Sequence, residues 1–240
     1  MSDLSLLAVF AHPDDETFRP GGTLALLARH GVRVEVLTFT RGEAGSCGEP
    51  PLCTPDELPA VRGRELRCAC AALGIQPPHL LDHADSHLHE ADAEPMIAQI
   101  LSVARETRPQ VWLSFGPDSL SGHPDHLAVG EWAFEAFLRA EEIAALYTVA
   151  LPRSLALKLD MRQVHPVVDE AIALTVDVSP VWETKLASMR CHATQWSSSP
   201  MANAPEERKR LFFEREYFVR AASRDAKADF LPDILKEFLL

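Results

Sequence analysis

The chain has 240 residues, a formal net charge of −12, and 47% hydrophobic against 24% charged residues. That length suits one domain, or one with a small appendage, and is enough for a sizeable core without disulfide staples. The composition excludes a disordered chain. The acidic balance argues against general nucleic-acid binding and against docking on an anionic membrane, since both need clustered Lys and Arg.

Residues 4–10 form a short, nearly all-apolar run that suits a strand buried on both faces. Asp3 ahead of it and His12-Pro13-Asp14-Asp15 behind it are unlike an export signal. Residues 21–30 read as a helix stopped by Gly31, and 32–38 as an alternating, β-branched strand. Residues 41–59, rich in Gly, Pro and Cys, read as a long loop, a kind that is often functional in compact domains. Helix 60–73, strand 79–82, helix 95–107, strand 111–115, loop 116–126, helix 127–140 and strand 146–151 follow. A further strand is expected at 175–178, and helices at 181–191 and 206–222. The alternation implies an α/β fold, a mostly parallel sheet with helices on both faces. In such sheets ligands bind beyond the carboxyl ends of the strands.

Residues 1–240 read as a single domain, with 197–240 as its helical C-terminal extension. The end of that extension, from Phe230 to Leu240, is amphipathic and reads as a core cover, or else as a contact in a homo-oligomer. No apolar stretch approaches the roughly 20 residues of a spanning helix. The five Cys match no zinc-finger spacing and read as reduced thiols of a cytoplasmic protein, with a Cys47–Cys53 loop disulfide as the other reading.

Two polar segments follow apolar strands: His12-Pro13-Asp14-Asp15-Glu16 after the first, and Gly122-His123-Pro124-Asp125-His126 after the run at 111–115. Charged groups gathered at a sheet crevice cost desolvation energy unless they are paired or bind a metal. His12 and Asp15, three residues apart, can share one ion, and His126 can supply a third ligand, the number a catalytic zinc keeps beside one open position. Such a metal lowers the pKa of its water towards about 7. Asp14 is then free to take a proton. His123 can protonate a leaving group or hold an oxyanion, and Asp125 can orient an imidazole. The simpler alternative is a pair of turns with capping Asp side chains.

These segments, with Gly21-Gly22-Thr23, resemble the two signature motifs of the LmbE-like (PIG-L) de-N-acetylases. The resemblance extends to Thr40-Arg41-Gly42-Glu43-Ala44-Gly45, to Arg62-Gly63-Arg64-Glu65 ahead of Leu73-Gly74, to Phe115-Gly116-Pro117-Asp118 and to Lys185 with His192-Ala193-Thr194-Gln195. It implies a Rossmann-like fold and one divalent ion, usually zinc, on His12, Asp15 and His126. It also implies Asp14 as general base, His123 as general acid or oxyanion stabiliser, Asp125 as the second motif's carboxylate and Arg62 near the sugar. The implied reaction removes an N-acetyl group from an N-acetylglucosaminyl conjugate, a small-molecule substrate. Ser119 departs from the Gly usual there, and the Cys47–Cys53 loop is unlike the family pattern. Glu16 is left between pairing with a base and touching substrate. His83, His87 and His89 read as a polar loop, with a second metal site as the alternative. Two rival functions keep the same residues: hydrolysis of another amide, carbamoyl or ester bond, and a non-catalytic, metal-bearing sugar-binding module. No G-x-G-x-x-G, Walker A, H-E-x-x-H or G-x-S-x-G sequence is present.

Overall fold

Strand β1 (Ser5–Phe10) is buried at every position. Parallel strands flank it on both sides, β2 (Arg33–Thr40) and β4 (Val111–Phe115). The computed structural model describes residues 4–240, so Asp3 lies outside the described residues. β3 (His79–His83) pairs with β2, and β5 (Ala145–Ala150) with β4, again in parallel. β6 (Leu174–Asp177) and β7 (Arg215–Ser223) complete a seven-stranded sheet of order β3-β2-β1-β4-β5-β7-β6, in which β7 is antiparallel to both neighbours. The strand order reverses between β1 and β4. A doubly wound sheet opens its ligand crevice at that reversal.

The helices are α1 (Asp15–Phe18), α2 (Gly21–Arg29), α3 (Leu58–Leu73), α4 (Ala93–Thr107), α5 (Pro124–Arg139), α6 (Arg153–Lys158), α7 (Trp182–Cys191), α8 (Ala193–Ser198), α9 (Glu206–Phe213) and α10 (Leu231–Leu235). The helices α2, α3 and α7 pack together on one face, and α4 and α5 on the other. The C-terminal segment covers the core through Phe230, Leu231 and Leu235. Among the described residues no helix is long and apolar enough to cross a membrane.

Two expectations are corrected. The helix expected over 206–222 ends at Phe213, and the rest is strand β7. The extension at 197–240 is therefore not wholly helical. Tyr217-Phe218-Val219 are good strand formers, and β5 offers β7 a full edge to pair with. The reading of all five Cys as reduced also gives way, because Cys68 of α3 is bonded to Cys191 of α7. Packing of α3 on α7 brings their Cα atoms to 5.6 Å across 123 residues of chain. Cys47, Cys53 and Cys70 are free thiols.

Candidate active site

The chain leaves β1 after Phe10 and, past His12, enters a backbone turn in which Asp14 has φ 119°. A non-glycine residue there stores strain of about 1–3 kcal/mol, which the surroundings must hold in place. Three contacts hold it. The Asp14 amide donates to Glu16 Oε2 at 3.0 Å, the His12 amide to Asp15 Oδ2 at 2.8 Å, and Arg62 donates to the Pro13 carbonyl. From the far side of the crevice α5 begins at Pro124, whose missing N–H suits the first helical position. His123 caps that helix: its Nδ1 accepts the Asp125 amide at 3.2 Å, which leaves the ring proton on Nε2. Burial, then the neighbouring His12 and His126, lower the pKa of His123, so it favours the neutral form.

His12, Asp15 and His126 meet. His12 Nδ1 lies 3.1 Å from His126 Nε2 and 3.7 Å from Asp15 Oδ2, and His126 Nε2 lies 3.2 Å from Asp15 Oδ1. A tetrahedral ion with bonds of about 2.0–2.2 Å spaces its donors about 3.3–3.6 Å apart, close to these separations, in which Asp15 turns a different oxygen to each imidazole. His12, His123 and His126 each bring a ring nitrogen within 4.8 Å of the other two, and His12 stands in the same relation to Asp85 and Asp125, so these groups too have the spacing of a cation site. The imidazoles of His12 and His126 are both braced from behind. His126 stacks on Phe115 with ring centres 4.1 Å apart, and its Nδ1 is 3.1 Å from Ser121 Oγ.

The electrostatics also fit a cation. Burial alone would lower the pKa of His12, but Asp125, Asp85 and Asp15 hold it up at about 10. The acidic cage thus keeps a positive charge at its centre even on an imidazole. Burial works against the Asp15 carboxylate, yet His126 and His12 hold it down at about 2.

Asp125 lies against an imidazole: its Oδ2 is 3.2 Å from His12 Nε2, and it accepts the Ser86 and Leu88 amides at 2.7 and 3.0 Å. It stands behind His12, on the side away from Asp15 and His126. Asp85 shares that place, 3.0 Å from His12 Nε2, and sequence reasoning missed it. It is held by amides of the 43–45 motif, accepting from Ala44 at 2.9 Å, while its own amide donates to Glu43 at 2.8 Å. The available signal was the position of Asp85 just past β3, at the same sheet edge as His12.

Arg62 is turned to the backbone around Asp14. It is 3% exposed; its Nη1 donates to the Gly42 carbonyl, and its Nη2 donates to the Pro13 carbonyl and lies 3.3 Å from Asp14 Oδ2. It grips the turn that carries Asp14. Gly42, at φ +70°, makes room for it, since a Cβ there would lie 2.2 Å from the guanidinium. Glu16 turns away from the crevice to His192, 2.6 Å distant and equally buried. His83, His87 and His89 separate, to Gln99, Glu90 and Asp125 respectively, and form no common metal group among the described residues. Ser119 sits at φ +48°, a conformation that explains why Gly is usual there.

Residues 7–137 match the family model described as PIG-L, GlcNAc-PI de-N-acetylase. A 1D-myo-inositol 2-acetamido-2-deoxy-alpha-D-glucopyranoside deacetylase of Acidothermus cellulolyticus is 33% identical, the match covering 80% of this chain and 79% of that one. N,N'-diacetylchitobiose deacetylase of Pyrococcus horikoshii has a similar fold, with a TM-score of 0.65 at 23% identity over 89% of this chain and 82% of that one. A 4-carboxy-2-hydroxymuconate hydratase of Pseudomonas putida is as similar in fold, with a TM-score of 0.67 at 19% identity over 93% and 98%, so fold alone does not set the reaction. The family match spans both strand-tip motifs and the curated deacetylase extends the likeness along most of the chain: the protein belongs to the PIG-L (LmbE-like) family.

Proposed function

We propose that the protein is a zinc-dependent N-deacetylase of a small N-acetylglucosaminyl glycoside, of the kind its curated relatives act on. The observation that carries the reading is the spacing of His12, Asp15 and His126, 3.1–3.7 Å between donors, with Asp14 and His123 at its margin. When bound, the zinc would supply an activated water and a Lewis acid for the amide carbonyl. Asp14, oriented by Arg62, takes the proton from the attacking water. His123, with its proton on Nε2, donates to the oxygen on which charge develops or to the departing amine. Asp125 and Asp85 hold His12 in the tautomer that turns Nδ1 towards Asp15 and His126. A non-catalytic metal module would need neither the strained Asp14 turn nor a neutral His123.

Purified protein is expected to release acetate from N-acetylglucosaminyl-inositol, to lose that activity when dialysed against a chelator, and to regain it with one equivalent of zinc. Full activity in metal-free protein would overturn the proposal. Asp85→Asn is expected to weaken zinc binding by roughly 10–100-fold, the usual cost of losing an outer carboxylate, as read by competition with a chromophoric chelator. An unchanged affinity would mean that Asp125 alone orients His12.

A further inference from the structure

Glu16 and His192 are both fully buried, and no step of the proposed reaction uses His192. His192 Nε2 lies 2.6 Å from Glu16 Oε1. A carboxylate only accepts, so the ring proton sits on Nε2, and among the described residues Nδ1 has no hydrogen-bond partner. Glu16 Oε1 also accepts the Thr17 hydroxyl at 2.7 Å, while Oε2 accepts the Asp14 amide at 3.0 Å. One side of the carboxylate thus holds the strained turn that presents Asp14, and the other rests on His192. His192 is itself fixed. It stands at the joint of α7 and α8, where its carbonyl accepts the Gln195 and Trp196 amides at 3.1 and 2.7 Å. Cys191 before it is bonded to Cys68 of α3, and Thr194 after it donates its amide and hydroxyl to Glu65 of α3 at 2.8 and 2.7 Å. The same helix carries Arg62, which grips Pro13 and Asp14. α3 therefore reaches the Asp14 turn by two routes, directly through Arg62 and through His192 and Glu16. Apolar side chains of similar volume fill a core as well as a buried charged pair does, or better, so packing alone does not call for His and Glu here.

We infer that His192 is a positioning residue, which acts through Glu16 to hold Asp14 where the attacking water needs its base. The inference rests on the deacetylase reading and deepens it. The rival account is that the Glu16–His192 pair serves only the core.

Zinc-loaded wild type, His192→Gln, His192→Phe and His192→Asn are compared on N-acetylglucosaminyl-inositol, with kcat taken per bound zinc. Gln places an N–H near the position of Nε2, Phe keeps the ring without a donor, and Asn is too short to reach Glu16. His192→Phe and His192→Asn are expected to lower kcat by roughly 10–100-fold, the cost of misplacing a reacting group slightly, with KM little changed. His192→Gln is expected to keep most of the rate. In an Asp14→Asn background the ratio of kcat between His192→Gln and His192→Phe is expected to fall close to one, since no base is left to position. Should His192→Phe not fold, His192→Asn takes its place in each comparison. Equal kcat in all three variants, a loss carried by KM, or a ratio that survives Asp14→Asn overturns the inference and leaves the deacetylase reading standing. Amide hydrogen exchange gives a readout free of catalysis: the Asp14 amide is expected to exchange roughly tenfold faster or more in His192→Phe than in His192→Gln, and equal rates overturn the inference. If wild type releases no acetate, the deacetylase reading fails instead, and the exchange rates alone decide the role of His192.

Discussion

Asp14→Asn is expected to lower kcat/KM for acetate release by roughly a hundred- to ten-thousand-fold, the range for removing a general base, while zinc stoichiometry and unfolding temperature stay at the wild-type values. Asn keeps the size of Asp and can still accept from Arg62 Nη2, 3.3 Å away, so the turn at φ 119° stays supported. What Asn lacks is the ability to take a proton. Burial pushes the Asp14 carboxyl up to about 6, with Arg62 opposing and Asp15 reinforcing the rise, which suits a base working near neutral pH. Metal analysis and kinetics together separate two roles. Loss of activity with loss of zinc would make Asp14 a ligand. Activity within threefold of wild type would remove it from the reaction.

The site was legible where chemistry and chain order coincide. An apolar strand followed at once by His-Pro-Asp-Asp shows its place at a strand tip, and the two motifs sit on the strands that flank the reversal in sheet order. Contributions from distant loops were not legible. Asp85 reaches His12 only because the amide of Ala44 and the carboxylate of Glu43 fold the loop after β3 back across the sheet edge. His192 meets Glu16 across 176 residues. The Cys68–Cys191 bond depends on how α3 lies against α7, which no spacing reveals. β7 was misread because the mixed charges at 206–210, followed by Leu211, Phe212 and Phe218, mimic an amphipathic helix. Pairing with β5 and β6 overrides that pattern after Glu214.

The same strand carries the largest expected effect on stability. Glu216 is buried, and its Oε1 lies 2.5 Å from Lys185 Nζ, which is buried as well. It also accepts the Gly22 and Thr23 amides at 2.7 Å each, at the start of α2, where the helix dipole favours an anion. The two halves of this pair are therefore not equivalent. Lys185→Met leaves a carboxylate that still holds two amides and the dipole. Glu216→Ala leaves a buried ammonium whose other contacts are the Phe213 carbonyl at 2.9 Å and the Arg19 carbonyl at 3.5 Å, and it strands both amides. Burial already lowers the pKa of Lys185, against the pull of Glu216. Breaking a buried pair from one side costs about 3–5 kcal/mol, and each amide left unsatisfied adds about 1–3 kcal/mol. In urea titrations Glu216→Ala is expected to lose at least the upper part of that range, and Lys185→Met the lower part. An equal loss, or the reverse order, would show that the carboxylate serves Lys185 alone. It would remove the role of β7 in fixing the start of α2, and with it the segment from Asp15 to Gly21 that carries one of the carboxylates beside His12 and His126.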